Sequence, residues 1–276
     1  MILKRCIPWF LLLTIVLMTA SCTNLKAVNE WSKTSLEASQ YNRIVSTYAD
    51  TLQRIKKYDP DGLYAGQIDI RKKQVKALNE ILGIITDYMA ALSVLSSDST
   101  INYDKDVDTL TKSIKELDSG ISNDTLGAAG SLVKTILEAS AKAYQAKEIS
   151  LIVESADPHL QTILNGELKS IIDKDFRRDL KFEKKMMDRF YDALVQQGQP
   201  SPAAQMAIQE WKEYRMAQNA KRVKAVDAYV VILSKVSKGH AKLYESRDDL
   251  DAIELTKDLF SLVKDIRSEI KILIES

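Results

Sequence analysis

The chain has 276 residues, with 39 Lys and Arg against 38 Asp and Glu and a formal net charge of +1. That balance excludes the strongly basic footprint of a nucleic-acid binder, and 45% apolar content excludes a disordered chain. Two cysteines in all, Cys6 and Cys22, exclude a disulfide framework and a thiolate metal cluster.

The first predicted element is a targeting segment. Lys4 and Arg5 form a positive start, Ile7 to Met18 is an apolar run, and Thr19, Ala20 and Ser21 are small. Positive, apolar, small is the order of a secretory signal peptide. The run falls short of the about 20 apolar residues that a spanning helix needs. Residues 1–21 are therefore expected to be removed. Their loss takes away Lys4 and Arg5 and leaves 37 basic against 38 acidic residues.

The residues Thr19-Ala20-Ser21-Cys22 resemble the lipobox of bacterial lipoproteins, with Thr19 standing where Leu is usual. The resemblance covers the N-terminus alone. It implies cleavage before Cys22 and a diacylglycerol on its thiol, with no cysteine left for other work. Thr23, rather than Asp, follows that cysteine. By the enterobacterial sorting pattern this implies the outer membrane, facing the periplasm. In a Gram-positive host it implies the outer face of the cytoplasmic membrane. Acylation with more than one chain makes a stable anchor, because each buried methylene contributes about 0.8 kcal/mol.

Residues 22–276 read as a single helical-bundle domain. Segment 25–58 carries Val28, Trp31, Tyr41, Ile44, Val45, Tyr48, Leu52 and Ile55 at spacings of one helical face. "DPDG" at 59–62 ends it. Segment 67–96, with Val75, Leu78, Ile81, Leu82, Ile85, Tyr88, Met89 and Leu92, is apolar over a wide face and predicts a central helix. "SSDSTIN" at 96–102 is a loop, and 104–119 a shorter helix. "SNDTLGAAG" opens a helix over 125–155. At "ADPHL", Asp157 is expected to cap a new helix with Pro158 in its first turn. That helix is predicted over 158–197. "QQGQPSP" at 196–202 is a tight turn, and Ser201-Pro202 starts a helix over 202–246. The last helix runs from Asp248 or Asp249 to Glu275.

The fold class that follows is all-α: an elongated bundle of long antiparallel helices, with 158–246 as a long helical hairpin. Its middle, "DKDFRRDLKFEKKMMDRF", has a thin apolar stripe and dense charge. Its tip is expected to project past the bundle as a two-helix coiled coil.

Signals for chemistry are few. His240 lies on the apolar stripe of its helix and reads as a hydrogen-bonded core residue; His159 lies in the first turn of the helix predicted from Pro158. There is no Glu-x-x-His or His-Glu-x-x-His pattern, and "GAAG" at 127–130 lacks the lysine of a phosphate loop. No catalytic residue, metal site or cofactor is predicted. Arg177, Arg178, Lys181, Lys184 and Lys185, with Lys221 and Arg222 across the hairpin, are the candidate contacts for a partner. Asp173, Asp175, Asp179, Glu183 and Asp188 are interleaved with them, so ion pairs at helical spacing are the competing reading. Trp31, Tyr48, Trp211, Tyr214 and Tyr229 read as core and seam.

The expected function is a lipid-anchored interaction protein of the cell envelope, without catalytic activity. It would act as adaptor, assembly factor or immunity lipoprotein, with an envelope protein as partner and no nucleic acid. Its long helices also allow a homo-oligomer. The alternative is a carrier or sensor with an apolar ligand near Ile81, Ile85, Tyr88 and Ile136. A pore former ranks below both, because its best segment, 126–156, carries Lys134, Glu138, Lys142, Lys147, Glu148 and Glu154.

Overall fold

A computed structural model of the chain describes residues 25–41, 43–62, 64–97, 121–140 and 146–276. Cys22, the signal segment and the helix expected over 104–119 lie outside the described residues. Those described form an all-α bundle, and no strand occurs among them. In order they give α1 Lys26–Ser39, α2 Arg43–Tyr58, α3 Ala65–Leu95, α4 Asn123–Ser140 and α5 Ala146–Asn165. There follow α6 Glu167–Ser170, a π-helical turn Ile171–Phe176, α7 Arg177–Gly198, α8 Pro202–Glu245 and α9 Ile253–Glu275.

α3 is the central helix that its wide apolar face predicts. It packs against α1, α2, α4 and α5. Ala77, Leu78, Ile81, Ile84, Tyr88, Met89 and Leu92 are all buried. By length and composition α3 could cross a membrane, yet 61% of its most apolar window is buried within the protein. Its hydrophobicity is thus spent on the core. Ile81, Ile85, Tyr88 and Ile136, expected to line a ligand cavity, belong to that core cluster.

Several boundaries differ from the sequence reading. The last helix starts at Ile253 rather than at Asp248 or Asp249, because the chain turns through 246–252, with the Asp249 and Ala252 N–H groups on the Ser246 and Asp249 carbonyls. Segment 25–58 is two helices, not one. The N–H groups of Gln40 and Tyr41 turn back onto the carbonyls of Leu36 and Ala38 and close α1. The Tyr41 hydroxyl then donates to the Leu273 carbonyl at 2.6 Å, so the break is pinned to the end of α9.

No helix starts at Asp157. α5 runs through Pro158, because Ile152, Val153, Ala156, Leu160, Ile163 and Leu164 place one buried face on both sides of it. Burying that face outweighs the about 3 kcal/mol that an interior proline costs. The chain breaks instead at Gly166. A Cβ there would lie 2.2 Å from the Thr162 carbonyl oxygen, an approach only glycine permits.

The hairpin is therefore built from 167–198 and α8, with its first strand of helix shorter than expected. Its turn matches the prediction: Ser201 accepts a hydrogen bond from the Ala204 N–H at 3.4 Å, with Pro202 in the first helical turn. α7 and α8 are antiparallel. Arg177 pairs with Asp227, Glu183 reaches Asn219, and Asp188 pairs with Lys212, so one number rises as the other falls. α9 returns along α8, with Lys242 on Asp258 and Lys235 on Asp265.

Candidate functional site

The most acid–base-like arrangement among the described residues is sealed inside the bundle. His240 of α8 lies between Asp157 of α5 and Tyr88 of α3. Its Nδ1 is 2.8 Å from Asp157 Oδ1, and its Nε2 is 2.6 Å from the Tyr88 hydroxyl. An ionised carboxylate only accepts, so Nδ1 donates to Asp157, and Nε2 shares a hydrogen bond with the phenol. Gln161 donates to the same Asp157 oxygen and to the Ser237 carbonyl, which ties α5 to α8 a second time.

Burial acts to raise the Asp157 pKa, but the hydrogen bonds from His240 and Gln161 outweigh it and hold the carboxyl below its ordinary range. Burial, and next the Asp157 charge, push the Tyr88 phenol up. His240 and Tyr88 are closed to solvent, so no substrate reaches them. The chain of three fixes the register of α3, α5 and α8. Trp31 lies beside it, its ring 6.3 Å from His240. Gly239 makes that possible, since a Cβ there would fall 2.2 Å from Trp31 Nε1.

Two buried ionic clusters stand at the base of the hairpin. Glu183 of α7 is sealed from solvent and takes Arg54 of α2 through both carboxylate oxygens, at 2.8 and 3.3 Å. Arg222 reaches it at 3.4 Å from α8, and Asn219 donates to it and to the Leu180 carbonyl. One turn earlier, Asp179 holds Arg71 of α3 at 2.6 Å. The Arg71 guanidinium also donates to the Tyr48 carbonyl and stacks 3.6 Å from the Tyr48 ring. The sequence offers Asp179 and Glu183 as ion-pair partners at helical spacing, whereas their main partners, Arg71 and Arg54, come from other helices. The signal that could have found these two carboxylates is their spacing: Asp179, Glu183 and Met187 continue the stripe of Phe176 and Leu180.

Beyond these clusters the hairpin leaves the core. No residue of α7 after Tyr191 is buried, and none of α8 before Asn219. Met206, Trp211 and Tyr214 are 67%, 62% and 59% exposed, and Leu194 is exposed on the facing helix. Trp211 and Tyr214 thus differ from the core placement expected of them. Trp31, Tyr48 and Tyr229 take it. The two helices of the tip are held by Lys212, which bridges Asp188 and Asp192 at 3.3 and 2.8 Å. A groove of about 620 Å³ at the tip is lined by Val195, Pro202 and Met206 among acidic and amide side chains.

The predicted basic contacts divide into two kinds. Arg177 pairs with Asp173 at 2.7 Å and with Asp227. Arg178 pairs with Asp175 at 2.9 Å and Asp179 at 3.6 Å, and Arg222 with Glu183. Arg177 and Arg222, about a quarter exposed, are committed to the fold, whereas Arg178 is 68% exposed. Lys181, Lys184, Lys185 and Lys221 are exposed. Lys221 lines a separate groove between α8 and α9, so the seven residues do not form one patch. Among the described residues no group of His, Cys, Asp and Glu is arranged to hold a metal ion. Comparison with protein families, with characterised proteins and with solved structures finds no match for the chain.

Proposed function

We propose that the chain is a non-catalytic interaction module of the bacterial cell envelope, held to a membrane by lipid on Cys22, whose hairpin tip binds a protein partner. The observation that carries this reading is the exposure of Met206, Trp211 and Tyr214 on a stretch of α8 that has no buried residue before Asn219. Large apolar side chains are costly to leave in water, and aromatic residues with methionine are the types enriched at interface centres. The sealed state of His240 and Tyr88 supports the absence of catalysis. The Thr19–Cys22 pattern supports the anchor, and a first helix that begins at Lys26 keeps the bundle near the membrane surface.

Photo-crosslinking in cells tests it, with a photoreactive residue placed in turn at Trp211, at Tyr214 and, as control, at Lys257 on α9. One envelope protein captured from both tip positions, not from Lys257, and only while Cys22 is intact, is the expected result. Equal capture from all three positions, or capture unchanged in Cys22→Ala, sinks the anchored-module reading. Mass spectrometry of the mature N-terminus reads the acylation of Cys22 directly.

A further inference from the structure

A second groove, of about 570 Å³, lies between α2, α3 and α7, on the bundle rather than at the tip. Its walls are Leu52, Ile55 and Tyr64, all buried, with Ile70 and Phe182, which are 57% and 38% exposed. Its polar lining is Arg71, Arg178, Asp179, Gln67 and Gln74. The volume is within the ~300–1,000 Å³ range of small-molecule sites, and an apolar wall with a few convergent polar groups is their usual composition.

The charges decide the chemistry. Two guanidinium groups line the groove against one carboxylate. Arg71 is unusual. Its side chain is only 9% exposed, yet its Nε is buried without a hydrogen-bond partner, while Nη1 and Nη2 are used by Tyr48 and Asp179. A buried donor left unmade is costly. Arg178, at 68% exposure, pairs with Asp175 through Nη1 and with Asp179 through Nε, and its Nη2 is left for a ligand at the groove. Planar guanidinium forks match carboxylates. Ile70 and Phe182 offer exposed apolar surface on the same groove, which an alkyl chain covers and a free inorganic anion leaves bare.

We propose that this groove binds a single-chain amphiphile with a carboxylate head, its chain against Leu52, Ile55, Tyr64, Ile70 and Phe182 and its head on Arg71 and Arg178. The site is independent of the hairpin tip and of the partner proposed for it. An acylated protein held at a membrane surface meets such molecules in the adjoining lipid.

The full acylated chain in phospholipid nanodiscs, photolabelled with a diazirine-bearing lauric acid, provides the test. The expected labels fall on peptides of α2, α3 and α7 that carry the lining residues. Excess laurate is expected to reduce them at least tenfold, whereas dodecyltrimethylammonium, with the same chain and the opposite charge, leaves them in place. Ile70→Asp alters an exposed side chain, and Arg178→Gln removes the guanidinium without adding a like charge beside Asp175 and Asp179; each is expected to reduce labelling about tenfold, Ile70→Asp with the thermal midpoint unchanged. Labels spread evenly over the exposed helices overturn the site. Equal competition by the cationic amphiphile, or full labelling in Arg178→Gln, overturns the carboxylate head.

Discussion

The two halves of α8 are one continuous helix with two different reasons to exist. From Asn219 to Leu243 it buries Val226, Tyr229, Ile232, Leu233, Val236 and His240 in the core of the bundle. From Pro202 to Gln218 it has no buried residue, and Lys212 ties it to Asp188 and Asp192 of α7. The inner half is helical because tertiary packing holds it. The outer half depends on the Ser201 cap, on good helix formers and on Lys212 across the hairpin. A segment that the core does not need has side chains free for outward work, and low local stability is the cost of that freedom. Substitutions that are severe in one half and mild in the other therefore test the division.

Glu183→Ala should do the most damage. It sits where the inner and outer halves meet, and its loss leaves Arg54 and Arg222 facing a partly buried vacancy. Breaking a buried ion pair by removing one partner costs about 3–5 kcal/mol. Urea unfolding followed by circular dichroism reads this as a lower midpoint. A loss below about 1 kcal/mol would show that the hairpin base is not where α2, α7 and α8 are locked together.

Tyr88→Phe should cost less, about 1–3 kcal/mol, by leaving His240 Nε2 without its hydrogen-bond partner inside the core. The same chain of groups predicts a pH dependence. The Asp157 pKa is depressed in the folded state from an ordinary value of 3.8. Its contribution is present above that value and is lost as pH falls through it toward the folded value. Stability plotted against pH should fall less steeply below about pH 4 in Asp157→Asn than in the wild type. An identical acid limb in both would mean that Asp157 is no more strongly held in the folded chain than in the unfolded one.

What the sequence disclosed, and what it hid, follows the same division between local and tertiary causes. The wide apolar face of α3, the Ser201-Pro202 start and the placement of His240 on a core stripe were legible, because each is a local pattern. The misplaced boundaries have tertiary causes. Pro158 stays inside α5 because residues on both sides share a buried face, and α1 ends where Tyr41 finds the Leu273 carbonyl, far away in the chain. The Arg71–Asp179 and Arg54–Glu183 pairs join residues more than a hundred positions apart. No helical spacing announces such a partner. Trp211 and Tyr214 were read as seam because aromatic spacing fits a stripe equally well whether or not a neighbour is there to cover it.

Trp211→Ser should have the smallest effect on stability and the largest on the proposed role. At 62% exposure the indole has little burial to lose on the folded chain, and substitutions at exposed sites generally stay within about ±0.5 kcal/mol. In the inner half, truncating a buried aromatic such as Tyr229 would forfeit a large packed volume. A tryptophan at the centre of an interface, by contrast, commonly contributes 2 kcal/mol or more to binding, which is about a thirtyfold change in affinity. The pairing of an unchanged urea midpoint with lost crosslinking at Tyr214 is therefore the expected signature of an outward-working tip. If Trp211→Ser instead unfolds as easily as Glu183→Ala, the indole is serving the fold. The outer half of α8 would then be a continuation of the core rather than a surface held out from it.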